Sequence, residues 1–125
     1  MTRGRVLVAE DEVDLAWVEQ FNLETEGYEA KVAPDGKAAL EDLQSFRPDV
    51  LVLDVMLPFV DGWSILEKLR ESWNGHKRPS VIVVSAATGV GDRARAEELG
   101  AAWFIAKPFD IDELIRAVDQ AAGAN

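Results

Sequence analysis

The sequence predicts an α/β fold, a doubly wound five-stranded parallel sheet with helices on both faces. Three observations indicate it: five short apolar runs recur along the chain, a longer amphipathic segment follows each run, and three of the runs are continuously apolar. Strands without polar alternation are typical of a parallel sheet that helices cover on both faces. A repeated βα alternation with right-handed crossovers leaves few other topologies.

The predicted strands are short and rich in β-branched residues, which favour extended backbone. They cover residues 5–9, 28–32, 50–53, 81–84 and 103–105. The second run alternates polar and apolar residues, which predicts a strand at the edge of the sheet.

The predicted helices cover residues 13–26, 35–46, 62–73, 92–99 and 110–121. Gly27 follows the first of them and predicts a left-handed C-terminal cap. Pro48 limits the second, because the residue before a proline disfavours helix. We expect the segment 121–125 to fray at the end of the chain.

Length and composition predict one globular domain over residues 1–125, with a core from about 5 to 121. The chain has no cysteine, which excludes thiolate chemistry and disulfides and fits a reducing cytoplasm. The net charge of −10 disfavours direct binding to nucleic acid or to an anionic membrane surface. No apolar stretch approaches the length of a membrane span or of a signal-peptide core.

Functional side chains in doubly wound sheets gather at the carboxyl ends of the strands. Asp54 is the most informative of them, because it directly follows a buried apolar run. An unpaired charge there would cost several kcal/mol, and nearby Glu10 and Asp11 would add repulsion. A hard divalent cation such as Mg²⁺ would relieve this conflict. Other strand ends carry Glu12, Ser85-Ala86 and Lys107. Taken alone, Glu12 reads equally well as a helix N-cap, Ser85 is more typical of a turn residue, and Lys107 is more typical of a solvated surface charge.

Several fragments, in order and at the predicted strand ends, resemble the receiver domain of bacterial two-component response regulators. The resemblance covers residues from 6 to about 118 and implies a flavodoxin-like (βα)5 fold. The fragments are Val8-Ala9-Glu10-Asp11-Glu12, Glu26-Gly27-Tyr28, 49–54, Met56-Leu57-Pro58, Asp61-Gly62-Trp63, Ser85-Ala86, Gly100-Ala101 and Lys107-Pro108-Phe109.

The resemblance implies a role for each residue of the site. Asp54 matches the phosphoacceptor, which takes a phosphoryl group from a phosphohistidine of a sensor kinase. Lys107 matches the lysine that pairs with the phosphoryl oxygens, Ser85 the hydroxyl that hydrogen-bonds them, and the backbone N–H of Ala86 is a further donor. A cis peptide bond is implied before Pro108. Such a domain catalyses only its own phosphorylation and dephosphorylation.

The resemblance also implies a divalent cation, Mg²⁺ or in its place Mn²⁺. Asp11 and Asp54 match its carboxylate ligands, and Met56 matches the residue whose backbone carbonyl binds it. Glu10 stands where the family more often has Asp, so its longer side chain is expected to act through a water. Phosphoryl transfer depends on positioning and charge neutralisation, which the cation and Lys107 would supply.

Ser85 and Phe104 match the switch residues of the family, although Phe104 lacks the hydroxyl of the more common Tyr. The face built from the fourth helix, fifth strand and fifth helix usually carries the output. Trp103 lies there and is either an exposed anchor for a protein partner or a residue packed on a neighbouring helix. Three possible cations of this face are Arg93, Arg95 and Arg116.

The implied partners are a sensor histidine kinase or phosphotransfer protein and, downstream, a protein target or a second copy of the chain. Direct contact with nucleic acid or membrane is not expected, and the expected location is the cytoplasm.

Three other functions compete with this interpretation. A flavodoxin-like electron carrier would need a phosphate-binding loop after the first strand, where Glu10, Asp11 and Glu12 would repel the flavin phosphate. A haloacid-dehalogenase-type phosphatase would need a second Asp at the position of Met56. A pseudo-receiver would act as a protein-binding scaffold without phosphorylation.

Overall fold

The computed structural model of the protein describes residues 2–73, 77–86 and 90–124. Its strands are β1 (Arg5–Ala9), β2 (Glu29–Ala33), β3 (Val50–Asp54), β4 (Ser80–Ser85) and β5 (Trp103–Ala106). Its helices are α1 (Val13–Thr25), α2 (Gly36–Ser45), α3 (Gly62–Ser72), α4 (Val90–Glu98) and α5 (Ile111–Ala124).

The strands form one parallel sheet in the order β2-β1-β3-β4-β5. This confirms the predicted fold class, and β2 lies at an edge as its alternating pattern predicted. The chain leaves β1 toward β2 on one side and returns to β3 on the other. The strand order therefore reverses between β1 and β3, which is where ligands bind in such sheets.

Helices cover both faces of the sheet. One apolar core lies under α2, α3 and α4, where Leu43, Ile65 and Ala96 pack on the sheet. The other lies under α1 and α5 and includes Leu23 and Leu114. The middle strands face a core on each side, which explains why their sequences are continuously apolar.

Side-chain and glycine caps fix several of the helix ends. Gly27 has φ +99°, so α1 ends in the left-handed conformation expected of it. Asp35 and Asp61 accept hydrogen bonds from Ala38 N and Ser64 N at the starts of α2 and α3.

Two predictions about the helices were wrong. The fifth helix, predicted to end at residue 121, continues to Ala124, and Ala121 is buried at the start of its last turn. Asn125, the last residue of the segment expected to fray, lies outside the described residues. The fourth helix begins at Val90, two residues before its predicted start at Asp92. Within the described residues, no helix has the length and apolarity needed to cross a bilayer.

Candidate phosphoacceptor site

The acidic site lies at the carboxyl ends of β1 and β3. Asp54 is the last residue of β3 and is only 4% exposed, while Glu10 follows β1 and is 3% exposed. Asp11, the next residue, is exposed. The register pairs Ala9 with Leu53, so the two strands end side by side. The structure thus brings together the three carboxylates that the sequence predicts at one site.

The geometry of these carboxylates fits a cation with oxygen ligands. One oxygen from each of Glu10, Asp11 and Asp54 lies within 4.8 Å of the others. Two oxygens bound to one Mg²⁺ lie at most about 4.2 Å apart, since each bond is about 2.1 Å long. Small side-chain movements would therefore close the group around one ion. Water and the Met56 carbonyl would complete the ligand set that the family resemblance implies.

Lys107 is the partner of the buried Asp54. Its Nζ lies 2.8 Å from Asp54 Oδ2, 3.0 Å from Glu10 Oε1 and 3.8 Å from Glu12 Oε2. Burial disfavours the ammonium charge, but the hydrogen bonds that it donates to Asp54 and Glu10 outweigh burial and raise the Lys107 pKa. Lys107 thus stays charged between the two buried carboxylates, and its bond to Pro108 is cis, as predicted.

Glu10 is held in a partly desolvated position. Its Oε2 accepts a hydrogen bond from Glu12 N at 3.1 Å. Burial raises the pKa of Glu10 to about 7, and repulsion by Asp54 adds to this, whereas Lys107 and the Glu12 N–H act in the opposite direction. Burial thus favours the protonated form of Glu10 more than it would be favoured in a solvated side chain.

The loop after β3 orients the Asp54 carboxylate through a backbone hydrogen bond. Met56 N donates to Asp54 Oδ1 at 2.9 Å, and the Met56 side chain points to solvent. Gly62 packs against the same loop, because a Cβ there would lie 2.7 Å from the Asp54 carbonyl oxygen. One carboxylate oxygen of Asp54 is thus held by backbone and the other by Lys107.

Ser85 follows Val84, the residue that pairs with Asp54 in the sheet, and its hydroxyl contacts α4. Ser85 ends β4 and is fully buried, and its backbone carbonyl accepts from Lys107 N at 2.8 Å. Its Oγ donates to Asp92 Oδ2 of α4 at 3.3 Å, a contact that sequence reasoning missed. Ala86 directly follows Ser85 and is exposed at the rim of the site.

Phe104 and Trp103 lie side by side on β5 and differ in exposure, Trp103 being the more exposed of the two. The Arg93 guanidinium lies 4.9 Å from the centroid of the Phe104 ring and covers it. Trp103 is 41% exposed and, with Arg116, lines a groove of about 410 Å³ between β5 and α5. Trp103 therefore has an accessible aromatic surface beside the predicted switch residue.

Two of the three expected cations on this face are engaged inside the molecule. Besides Arg93, Arg95 lies over the Trp63 ring at 4.4 Å and 3.9 Å from Glu67 Oε1. Arg93 and Arg116 both line the groove beside Trp103.

A third buried acid of the described residues, Glu19, was missed from the sequence. It lies on α1, is 1% exposed, and its Oε2 has no hydrogen-bond partner among the described residues. Burial raises its pKa to about 8, with repulsion from Glu10 as the next cause. The helical spacing of the sequence could have indicated this burial. Glu19 lies three residues after Ala16 and four before Leu23, on the buried face of the helix.

The comparisons with known proteins agree on the family. The sequence profile of the response regulator receiver domain matches residues 6–119. The transcriptional regulatory protein PcoR of Escherichia coli is 41% identical over 114 residues, which is 91% of this chain and 49% of PcoR. The transcriptional activator protein IrlR of Burkholderia pseudomallei is 39% identical over 114 residues, 91% of this chain and 48% of IrlR. The chain spans about half the length of these curated relatives.

Solved structures show the same relationship. The receiver domain of the Francisella response regulator 1452 is 34% identical and superposes with a TM-score of 0.89, over 97% of this chain and 98% of that one. A response regulator receiver domain from Bermanella marisrubri is 27% identical with a TM-score of 0.82, over 97% of this chain and 98% of that one. With its acidic site at the β1 and β3 ends, the chain belongs to the response regulator receiver domains of two-component systems.

Proposed function

We propose that Asp54 accepts a phosphoryl group from a phosphohistidine of a sensor histidine kinase or a phosphotransfer protein. One observation carries the proposal: a buried Asp54 carboxylate lies 2.8 Å from the Lys107 ammonium, with Glu10 and Asp11 oxygens within 4.8 Å. A buried carboxylate held between a lysine and two further acids is costly as pure structure. It is well suited to bind a cation and a phosphoryl group together.

The transfer makes one bond and breaks one. A carboxylate oxygen of Asp54 attacks phosphorus, the P–N bond of the phosphohistidine breaks, and its electron pair returns to the imidazole nitrogen. Lys107 neutralises phosphoryl oxygens, while the Ser85 hydroxyl and the Ala86 N–H donate hydrogen bonds to them. Attack by water on the acyl phosphate later restores Asp54. The chain thus catalyses only its own phosphorylation and dephosphorylation.

We assign the cation to Glu10, Asp11, Asp54 and the backbone carbonyl of Met56, with Glu10 acting through a water. Mg²⁺ is the preferred ion, and Mn²⁺ is a substitute with the same ligand preference. When bound, the ion supplies charge neutralisation for the incoming phosphoryl oxygens.

We propose that the domain contacts its downstream partner through the face of α4, β5 and α5. Phosphorylation at Asp54 would draw Ser85 and Phe104 inward and change the surface beside Trp103, shifting an existing equilibrium. Exposed aromatic side chains are enriched in interface hot spots, so Trp103 is the proposed anchor for a downstream protein or a second copy of the chain. The relatives are named transcriptional regulators, but with a net charge of −10 this chain is not proposed to contact DNA itself.

The competing pseudo-receiver would bind partners without phosphorylation. It is disfavoured because the chain keeps Asp11, Asp54, Ser85 and Lys107, and Lys107 joins Asp54 in an ion pair at the proposed site. The proposed location, the cytoplasm, is where sensor kinases would meet this receiver.

Intact mass spectrometry tests the phosphoacceptor directly. Incubation with acetyl phosphate and Mg²⁺ should add one phosphoryl group, and hydroxylamine should remove it. Chelation of the cation should abolish labelling, and Mn²⁺ should restore it. Asp54→Asn is the key variant, because it keeps the shape of the side chain and removes the nucleophile. Normal labelling of Asp54→Asn would contradict the assignment.

The output surface needs a separate experiment. Trp103→Ala should weaken association with the partner or with a second copy while Asp54 labelling continues. Trp17→Ala is the matched control, since Trp17 is also exposed but lies on α1, away from β5. Equal loss of association in both variants, or unfolding of Trp103→Ala, would show that Trp103 is no specific anchor.

A further inference from the structure

Helix α4 is held to the sheet in an unusual way. Ala96 is its only buried residue among those whose side chains the structure describes, whereas α5 buries Leu114, Ala117, Val118 and Ala121. Among the described side chains, apolar burial therefore contributes less to the position of α4 than to that of α5. Charged side chains make further contacts of α4 with the rest of the protein.

Three side chains of α4 reach three different elements. Asp92 accepts from Ser85 of β4, Arg93 covers Phe104 of β5, and Arg95 reaches α3. Asp92 and Arg93 are neighbours in the first turns of the helix, and each contacts one of the two switch residues. The start of α4 thus holds both switch side chains at once.

The Ser85 hydroxyl cannot serve two acceptors. A hydroxyl carries one proton, so Ser85 can donate it either to the Asp92 carboxylate or to a phosphoryl oxygen on Asp54. A carboxylate accepts only and cannot replace the donor that the phosphoryl group needs. A phosphoryl group would also add negative charge on the Asp92 side of the site, and repulsion would oppose the Ser85–Asp92 contact further.

We propose that Asp92 is a positioning residue that competes with the phosphoryl group for the Ser85 hydroxyl, and that Asp92 and Arg93 together tie α4 to the unphosphorylated arrangement of Ser85 and Phe104. The proposal rests on the proposed phosphoacceptor function of Asp54. Phosphorylation breaks the Ser85–Asp92 bond and frees the start of α4. Because the bond must be broken in every switching event, Asp92 lowers both the rate of phosphorylation and the population of the switched state.

The test uses Asp92→Ala, with Asp112→Ala as the matched control. Asp112 is an exposed acid in the first turn of α5, so its removal costs the same favourable interaction with a helix N-terminus. Asp92→Ala should label with acetyl phosphate about three- to tenfold faster than the wild type. Its β5 amides should also exchange hydrogen faster before any phosphorylation. Asp112→Ala should do neither, and Asp92→Asn, which keeps an acceptor oxygen for Ser85, should stay close to the wild type.

A double-mutant cycle distinguishes loss of the Ser85–Asp92 contact from general fraying of α4. In a Ser85→Ala background, Asp92→Ala should have no further effect on β5 exchange, because the contact is already lost. An equal increase in both backgrounds, or no difference between Asp92→Ala and Asp112→Ala, would overturn the proposal. If Asp92→Ala does not fold, Ser85→Ala is compared with the wild type instead. Faster hydrogen exchange of the α4 amides in Ser85→Ala would support the proposed role of the Ser85–Asp92 contact, and unchanged exchange would overturn it. Exchange needs no phosphate, so failure of every protein to label would instead overturn the proposed function.

Discussion

Glu19 is a buried acid whose burial costs stability. It lies on α1 and is 1% exposed, and its Oε2 has no hydrogen-bond partner among the described residues. Burying a polar group without a partner costs free energy that burial of an apolar side chain would not. The acidic site adds to this cost, since Glu10 repels the ionised form of Glu19.

Replacing Glu19 with Leu should stabilise the protein. Exchanging a buried ionisable group for an apolar side chain of similar size often gains about 1–4 kcal/mol. Urea unfolding at pH 8 should show a higher midpoint with an unchanged slope. Glu24→Leu is the control, because Glu24 is exposed on the same helix and its replacement should change the midpoint little. A Glu19→Leu protein that is less stable than the wild type would contradict this.

The stability of the wild type should fall as pH rises from about 5 to 8. Glu19 and Glu10 have folded pKa values of about 8 and about 7, above the ordinary 4.5, so the native state holds protons that the unfolded state has lost. Stability is therefore retained at low pH and lost as pH passes through the folded pKa values. Melting temperatures across this range should fall less steeply in Glu19→Leu, which keeps only the Glu10 contribution. Parallel plots of melting temperature against pH for the two proteins would exclude Glu19 as a cause of the pH dependence.

At the scale of elements, the loop after β3 and the start of α2 fit closely together. Gly36 N donates to Pro58 O at 3.0 Å, and a Cβ on Gly36 would lie 1.8 Å from the Val60 carbonyl oxygen. Backbone atoms on both sides leave no room for a side chain. The same loop carries the Met56 N–H that orients Asp54, so the contact between α2 and the loop supports the site.

Gly36→Ala should destabilise the fold, and Gly123→Ala should not. The alanine at 36 must displace the loop backbone, which costs about 1–3 kcal/mol by analogy with overpacked cores. Gly123 is exposed in α5, and a Cβ there would meet nothing within 4 Å, so alanine should be neutral or gain up to about 1 kcal/mol of helix propensity. Thermal unfolding compares the two directly. Equal melting temperatures would mean that the loop moves aside without cost.

At the scale of the whole molecule, the net charge of −10 surrounds the carboxylates of the site with further negative charge. Lys107 offsets part of the negative charge at the site. A divalent cation would offset more, and it would bind only the folded chain, because its ligands come from the residues after β1 and from the end of β3. Cation binding and folding are therefore linked.

Mg²⁺ should raise the melting temperature. At ten times its Kd the ion stabilises the native state by about 1.4 kcal/mol, which corresponds to about 5 °C for a domain of this size. Asp11→Ala is the matched variant, because Asp11 is exposed and its loss should leave the fold intact. The shift should disappear in Asp11→Ala. An identical shift in both proteins, or none in the wild type, would contradict the cation site.

The sequence alone determined the sheet, its edge strand and the residues at the strand ends. Periodic apolar runs and breaks at Gly27 and Pro48 are local signals, and strand ends in a parallel sheet must meet at one edge. That is why the sequence by itself predicts Glu10, Asp11, Asp54 and Lys107 at one edge of the sheet. Their roles as phosphoacceptor, cation ligands and phosphoryl partner stay predictions for the labelling experiment.

Only the tertiary structure decided how those groups are paired and how far each is buried. That Lys107 bridges Asp54 and Glu10, that Ser85 turns to Asp92, and that α5 keeps its last turn all depend on contacts between elements distant in sequence. A side chain chooses among neighbours only after packing has brought them within a few ångströms. Desolvation likewise follows from what covers a group, so the raised pKa values of Glu10 and Glu19 arise from the folded whole rather than from any motif.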